Sequence, residues 1–296
     1  MEVSVGARRR YVAARSVRRV ETLANNRIAF GAGSATGRVV IVMYHSVNQT
    51  PDAYSVTPAV FRQHLEAIRD HYPVVALKDI TSHLTGGPTT KVVITFDDAF
   101  EDFLTEAYPI LLEFGIPATL FVPTGFIGRS NLWDLHTTHV TPKNIMGVNA
   151  LRKVCADGLV DLGSHTVDHV NMRGLCQSDM SFQAGASKKW LEDTFGKAIN
   201  MFSYPYGQRD HVSALTRTVI ADHGYEIAVT TCWGANTSLS RLLALRRIHF
   251  NQQDDRHTVL AKIEGRYDWI GLKERLGFVS RSAIRALRHS ASTYLT

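Results

Sequence analysis

One unit recurs along this chain and limits the folds open to it. A short run of β-branched and other apolar residues ends on polar or titratable side chains, and a longer segment of helical period follows it. Seven runs fit this description: Val39–His45, Val92–Asp97, Ala118–Pro123, Val160–His165, Ile199–Pro205, Glu226–Thr231 and Leu245–Phe250. Alternation of such runs with helical segments is the pattern of parallel βα units. The expected fold is therefore α/β, a distorted (β/α) barrel with about seven parallel strands and its active site at the C-terminal strand ends. Those ends read Tyr44-His45, Asp97-Asp98, Pro123-Thr124, Ser164-His165, Tyr204-Pro205-Tyr206, Thr231-Cys232-Trp233, and Arg247 with His249. Between the strands, Thr57-Pro58 is a helix start, Gly115 a helix stop, and Ser178 opens a helix running to Phe195 before Gly196. Residues 129–150 are less regular and read as an insertion or a loop over the barrel mouth.

Composition narrows the class further. With 296 residues, 45% hydrophobic and 20% charged, the chain is too apolar for disorder. No stretch approaches the roughly 20 apolar residues of a membrane span. Three scattered cysteines, Cys155, Cys176 and Cys232, fit neither a disulfide framework nor a C-x-x-C metal site and suggest a reducing compartment. The basic start MEVSVGARRRYVAARSVRRV has no apolar segment after it, so the expected location is cytoplasmic. The net charge of +6 is carried by the tails: residues 1–38 hold eight Lys/Arg against two acids, and residues 273–296 five against one. The tails thus hold +10 and the middle −4, which argues against a nucleic-acid partner. Leu276, Val279, Ala283 and Leu287 recur at helical spacing among Lys273, Arg275, Arg281, Arg285 and Arg288. That pattern suits either a solvated helix packed on the domain or peripheral contact with an anionic membrane. The expected organisation is a basic extension over 1–38, a barrel domain over 39–272 and a basic amphipathic segment over 273–296.

Two groups carry chemistry. Asp97-Asp98 follows an apolar strand, and neighbouring carboxylates resist joint ionisation unless a cation sits beside them. His165 and His169 are four residues apart, so both imidazoles face one point if the chain turns there. Either group alone also reads as structural, the first as a cap with a solvated acid and the second as a core pair. Joined, each at its own strand end, they point to a metal, with zinc the default for two imidazoles and a carboxylate, and cobalt, nickel or manganese open to the same donors.

The chain resembles the polysaccharide deacetylase family, carbohydrate esterase family four, whose conserved unit is the NodB homology domain. The resemblance covers about residues 39–250 through IVMYHSV (Ile41–Val47), TFDDAF (Thr95–Phe100), PATLFVPTGFIG (Pro117–Gly128), GSHTVDH (Gly163–His169) and FSYPYG (Phe202–Gly207), in that order. It implies a metal-dependent hydrolase that removes an N-acetyl group from an amino sugar in a polysaccharide, oligosaccharide or lipid- or nucleotide-linked precursor. By the same resemblance Asp97 is the general base, Asp98, His165 and His169 hold the metal, and the backbone N–H of Tyr206 stabilises the oxyanion. Two positions depart from the family pattern. Ser203 stands where family members often place an arginine beside the base, and Arg247 is the candidate replacement because it and His249 alternate onto one strand face. Leu245 is followed by His249 at a spacing unlike the usual one, which makes His249 the candidate general acid and equally a structural residue. His45 is assigned an indirect role, and Asp168 either orients His169 or caps a helix. Trp133, Tyr206 and Trp233 are candidate walls for a sugar ring. The competing readings are a catalytically impaired carbohydrate-binding protein, motivated by Ser203 and by the unassigned general acid, and a hydrolase of another non-peptide amide.

Overall fold

The computed structural model describes residues 38–84, 88–134 and 141–278. Within them, seven parallel strands close into a barrel in sequence order: β1 (Val39–Tyr44), β2 (Lys91–Phe96), β3 (Ala118–Val122), β4 (Val160–Ser164), β5 (Met201–Ser203), β6 (Ile227–Trp233) and β7 (Leu245–His249). Closure comes from β7 pairing back onto β1, with Ile41 opposite Arg247 and Met43 opposite His249. The helices are α1 (Pro58–His71), α2 (Ile80–Leu84), α3 (Tyr108–Phe114), α4 (Val148–Val154), α5 (Gln177–Phe195), α6 (Ala214–Asp222) and α7 (Arg256–Ile263). Each expected strand is present. The fifth is shorter than expected, and the sixth runs on to Trp233 through a bulge against β7.

Strand periodicity sorts the side chains into an inner and an outer set. Val40, Val42, Ile94, Leu120, Phe202, Ala228 and Ile248 are buried beneath the helices. Ile41, Val93, Phe121, Met201, Val229 and Leu245 form a second apolar cluster, joined by Leu77, Ile80 and Leu84. Further along the same inner faces stand Thr95, Ser203 and Arg247, then Asp97 and His165, all buried. The barrel is apolar at its base and polar towards its C-terminal mouth.

Seven strands enclose less space than eight. At Gly163 on β4 an added Cβ would lie 2.5 Å from Cδ1 and Cε1 of Phe121 and 3.0 Å from the Met201 carbonyl oxygen, so only hydrogen fits. The β4–β5 joint is also the thinnest, with one registered pair, Ser164 opposite Phe202. Just beyond it, His165 Nδ1 donates to the Ser203 carbonyl at 2.7 Å and carries the connection onward through a side chain.

Local signals set most helix ends. Thr57 Oγ1 accepts from Val60 N at 3.3 Å ahead of Pro58, and α3 stops where Gly115 turns left-handed at φ 61°. The start of α5 differs from expectation. Cys176 is the extended residue whose carbonyl accepts from Met180 N, so the helix begins one residue before Ser178. Residues 129–134 and 141–146 lie by the mouth, joined to each other and to the segment after β2 by bridges between Ser130 and Asn144 and between Phe100 and Ile145. Lys143 pairs with Asp52 and fastens this loop to the one after β1.

Residues 1–37 and 279–296 lie outside the described part, and with them most of both basic tails and their expected membrane contact. A helix over residues 269–278 runs across the expected junction at 272/273 and is held on the barrel by the Trp233 N–H donating to Glu274 Oε2 at 3.0 Å. No helix among the described residues is long and apolar enough to cross a membrane.

Gly163→Ala is expected to cost about 1–3 kcal/mol through overpacking. Urea unfolding followed by circular dichroism measures it, and wild-type stability would contradict the close approach of Phe121.

Candidate active site

The chain of β2 continues its ladder one residue past the strand, with Asp97 N donating to the Tyr44 carbonyl at 3.0 Å, so Asp97 keeps the inward direction of Val93 and Thr95. Asp98 then turns left-handed at φ 71° and Ala99 at 53°, which swings the second carboxylate out of the strand pattern. Two adjacent acids thereby acquire different neighbours.

Asp97 meets Arg247. The guanidinium donates from Nη1 to Oδ1 at 2.9 Å and from Nη2 to Oδ2 at 2.6 Å, a bidentate pair with both residues buried. Its remaining N–H groups are also used: Nε donates to the Thr230 carbonyl at 2.9 Å, Nη1 to Thr95 Oγ1 at 3.3 Å and Nη2 to Ser203 Oγ at 3.2 Å. Ser203 therefore does not leave a hole where an arginine might stand; it receives one arriving from β7. Burial alone would raise the Asp97 carboxyl, but the Arg247 guanidinium, helped by His165, outweighs it and holds the group well below the usual carboxylate range.

Asp98, His165 and His169 form the second group. All three are buried, and one ligand atom from each lies within 4.8 Å of the other two. Asp98 Oδ1 is 3.2 Å from His169 Nε2 and 3.5 Å from His165 Nε2, yet it has no properly directed hydrogen bond. Burial pushes His165 down to about 4, so its imidazole is neutral at pH 7. Since Nδ1 donates to the Ser203 carbonyl, the lone pair sits on Nε2 and faces Asp98. An acid oxygen lacking a directed partner, opposite a ring nitrogen with its lone pair turned inward, fits a bound cation in place of a missing proton. The five non-glycine residues at positive φ among those described, Asp98, Ala99, Thr166, His169 and Tyr206, all lie in the turns just past β2, β4 and β5. Such backbone costs of order 1–3 kcal/mol per residue and persists where the surroundings over-determine it.

The remaining candidates sit around this pair of groups. The Trp133 ring stacks on His169 with centroids 4.1 Å apart and an interplanar angle of 21°. Tyr206 approaches the same imidazole edge-on at 5.1 Å and is 44% exposed, so these two aromatics flank His169 at the opening. Trp233 is buried, which makes it core, with His249 edge-on at 5.2 Å. His249 opens to solvent and lines a cavity of about 510 Å³ with His45, Asp52, Tyr54 and Gln252. Crowding by protein and then the Lys262 ammonium lower its pKa. His45 lies within electrostatic reach of Asp97, Asp98 and His249, and so stands between the two regions. Asp168 accepts from Gln183 Nε2 at 2.6 Å, which ties the loop to α5 and leaves His169 Nδ1 without a partner.

Sequence reasoning did not find the buried Lys262–Asp254 pair at 2.6 Å, from which Lys262 also donates to the His249 carbonyl at 3.2 Å. It also missed His64, which bridges the Tyr44 hydroxyl at 3.1 Å and the Asp254 carbonyl at 2.9 Å. The one available signal was a lysine on the apolar side of α7, eight residues after an acid.

A family model described as polysaccharide deacetylase matches residues 86–228. YxkH of Bacillus subtilis (strain 168), named as a polysaccharide deacetylase, is 30% identical over 217 residues, which is 71% of each chain. The poly-beta-1,6-N-acetyl-D-glucosamine N-deacetylase of Staphylococcus aureus (strain MRSA252) is 28% identical over 177 residues, 56% of this chain and 58% of that protein. Among solved structures, the Streptococcus pyogenes deacetylase PplD in complex with acetate superposes with a TM-score of 0.66 at 23% identity, covering 77% of this chain and 99% of that one. IcaB from Ammonifex degensii gives 0.66 at 20% identity, covering 77% and 97%. At these identities the structural likeness speaks for the fold.

Arg247→Met is expected to cost about 3–5 kcal/mol at pH 7, because it strands a buried carboxylate. In the wild type the Asp97 pKa is depressed, so the pair stabilises above the unfolded value of about 3.9 and is lost only as pH falls through the lower folded value. In the variant, burial raises that pKa, and the deficit should shrink between pH 7 and 4. A deficit independent of pH, measured by urea unfolding, would contradict the pairing.

Proposed function

Because the chain belongs to the polysaccharide deacetylase family, whose members hydrolyse N-acetyl amide bonds, we propose that it deacetylates N-acetylated amino sugars in a polysaccharide with one divalent ion held by Asp98, His165 and His169. The observation that carries this reading is the convergence of those three donors beside a second carboxylate that an arginine keeps ionised. The donor set suits zinc. When bound, such an ion supplies Lewis-acid activation of water and of the amide carbonyl.

The chain's own residues divide the remaining work. Asp97 takes the proton of the attacking water, and Arg247 keeps the carboxylate charged and aimed before that transfer. The backbone N–H of Tyr206, in its left-handed turn, is assigned to the developing oxyanion. Trp133 holds the His169 ring in plane and, with Tyr206, offers an aromatic border on which a sugar can rest. His249 is assigned to the departing amine. Its lowered pKa means that it must first gain the proton it hands over, and His45 lies within electrostatic reach of both Asp97 and His249. Against a binding-only protein stands the hydrogen bond that Ser203 accepts from Arg247, which answers the motive drawn from Ser203. The substrate is proposed as a poly-N-acetylglucosamine chain, after the named activity of the staphylococcal relative.

Acetate release from β-1,6- and β-1,4-linked N-acetylglucosamine oligomers is the direct test. Stripping with a chelator should abolish release and zinc should restore it, with one ion per chain by elemental analysis. Asp97→Asn should lower kcat by about 10²–10⁴-fold while retaining the ion. His169→Ala should lose the ion itself. Thermal unfolding run alongside separates lost chemistry from lost fold. Full turnover in chelated protein, or in Asp97→Asn, would overturn the reading.

A further inference from the structure

The connection from β6 to β7 contains only a 3-10 segment, Leu239–Ala244, and in place of a covering helix it leaves a cavity of about 610 Å³ beside α6. Arg209, from the loop after β5, Arg217 on α6 and Arg241 in the 3-10 segment all line it. Arg246, on the outward face of β7, lies outside the lining; Arg241 and Arg209 oppose its charge and Asp268 favours it. None of the lining residues is acidic, and none of the four guanidinium groups has a carboxylate within 4 Å among the described residues. The Nε of Arg209 is shut off from solvent and has no acceptor. Arg62 and Arg256, by contrast, are paired with Glu113 and Asp70.

Three like charges lining one cavity without a paired carboxylate repel one another, and a buried donor without an acceptor is destabilising. An anion placed in the cavity removes both penalties. Guanidinium forks present pairs of parallel N–H donors that match phosphoryl oxygens, and several converging forks match a group carrying more than one negative charge better than they match a single carboxylate. Leu239, Leu242 and Leu243 add an apolar edge to the same cavity.

The geometry points to a phosphoryl-binding pocket on the barrel flank, formed by Arg209, Arg217 and Arg241. It lies apart from Asp97 and the three donor residues, none of which lines it. Its ligand is a phosphate group, free in solution or carried as the headgroup of a lipid whose chain starts along the leucines.

The test uses the full chain at 150 mM salt. Inorganic phosphate and pyrophosphate are titrated by calorimetry, and vesicles of phosphatidylcholine with or without phosphatidic acid are sedimented with the protein. Three proteins are compared: the wild type, the double variant Arg217→Gln/Arg241→Gln, and a control that removes two remote exposed charges, Lys189→Gln/Arg266→Gln. The expected result is saturable binding of at least one phosphoryl form at Kd below about 1 mM, weakened at least tenfold in the double variant and unchanged in the control. Binding of soluble phosphates alone identifies a free ligand, and binding of phosphatidic acid vesicles alone identifies a headgroup; both support the pocket. Absence of saturable binding, or equal losses in the double variant and the control, overturns it. Acetate release should be the same in all three proteins, so failure of the pocket and failure of the deacetylase reading are read separately.

Discussion

The interaction on which the rest of the structure depends is the bidentate pair between Arg247 and Asp97. Taking a guanidinium and a carboxylate out of water costs several kcal/mol per ion, and the cost is recovered only where every hydrogen-bonding position is met. Here all five guanidinium N–H groups find acceptors: one on β6, two on Asp97, one on Thr95 and one on Ser203. Thr95 Oγ1 in turn donates to the Val42 carbonyl at 2.8 Å. One side chain thus engages β2, β5 and β6 directly and reaches β1 through a threonine. The polar layer that fastens the strands is the same layer that fixes the charge and direction of Asp97.

From this follows the division of labour between two neighbouring acids. The strand period aims Asp97 into the barrel, where its charge is balanced from below. The left-handed turn at Asp98 points the next carboxylate at the imidazoles. Without the arginine the two acids would compete for one cation and one would be pushed towards protonation. With it, Asp97 has its own positive neighbour, and Asp98 with the two imidazoles is left free to hold an ion.

Most of the barrel was legible because its signals are local. Runs such as Val39–Tyr44 and Val92–Phe96 are apolar on both faces, and only a strand covered on both sides uses such a run. Arg247 could be placed inward because Leu245, Arg247 and His249 alternate, and the period of a strand admits no other sorting. What could not be read depends on contacts distant in sequence. The stacking of Trp133 on His169 joins two loops 36 positions apart, neither with a period to follow. The Lys262–Asp254 pair under His249 depends on how α7 docks. The flank cavity exists because the last crossover lacks a helix, and its arginines come from three separate segments.

The thin joint between β4 and β5 gives His165 two duties. Its Nε2 faces Asp98, while its Nδ1 bridges the gap where the backbone ladder has almost run out. Drift at this position in evolution is therefore doubly penalised, since a residue without this imidazole would both remove one of the three proposed donors and unlatch the wall. Asp98 and His169 carry no such second burden among the contacts described, so a lineage abandoning the chemistry could discard them first and keep a sound barrel.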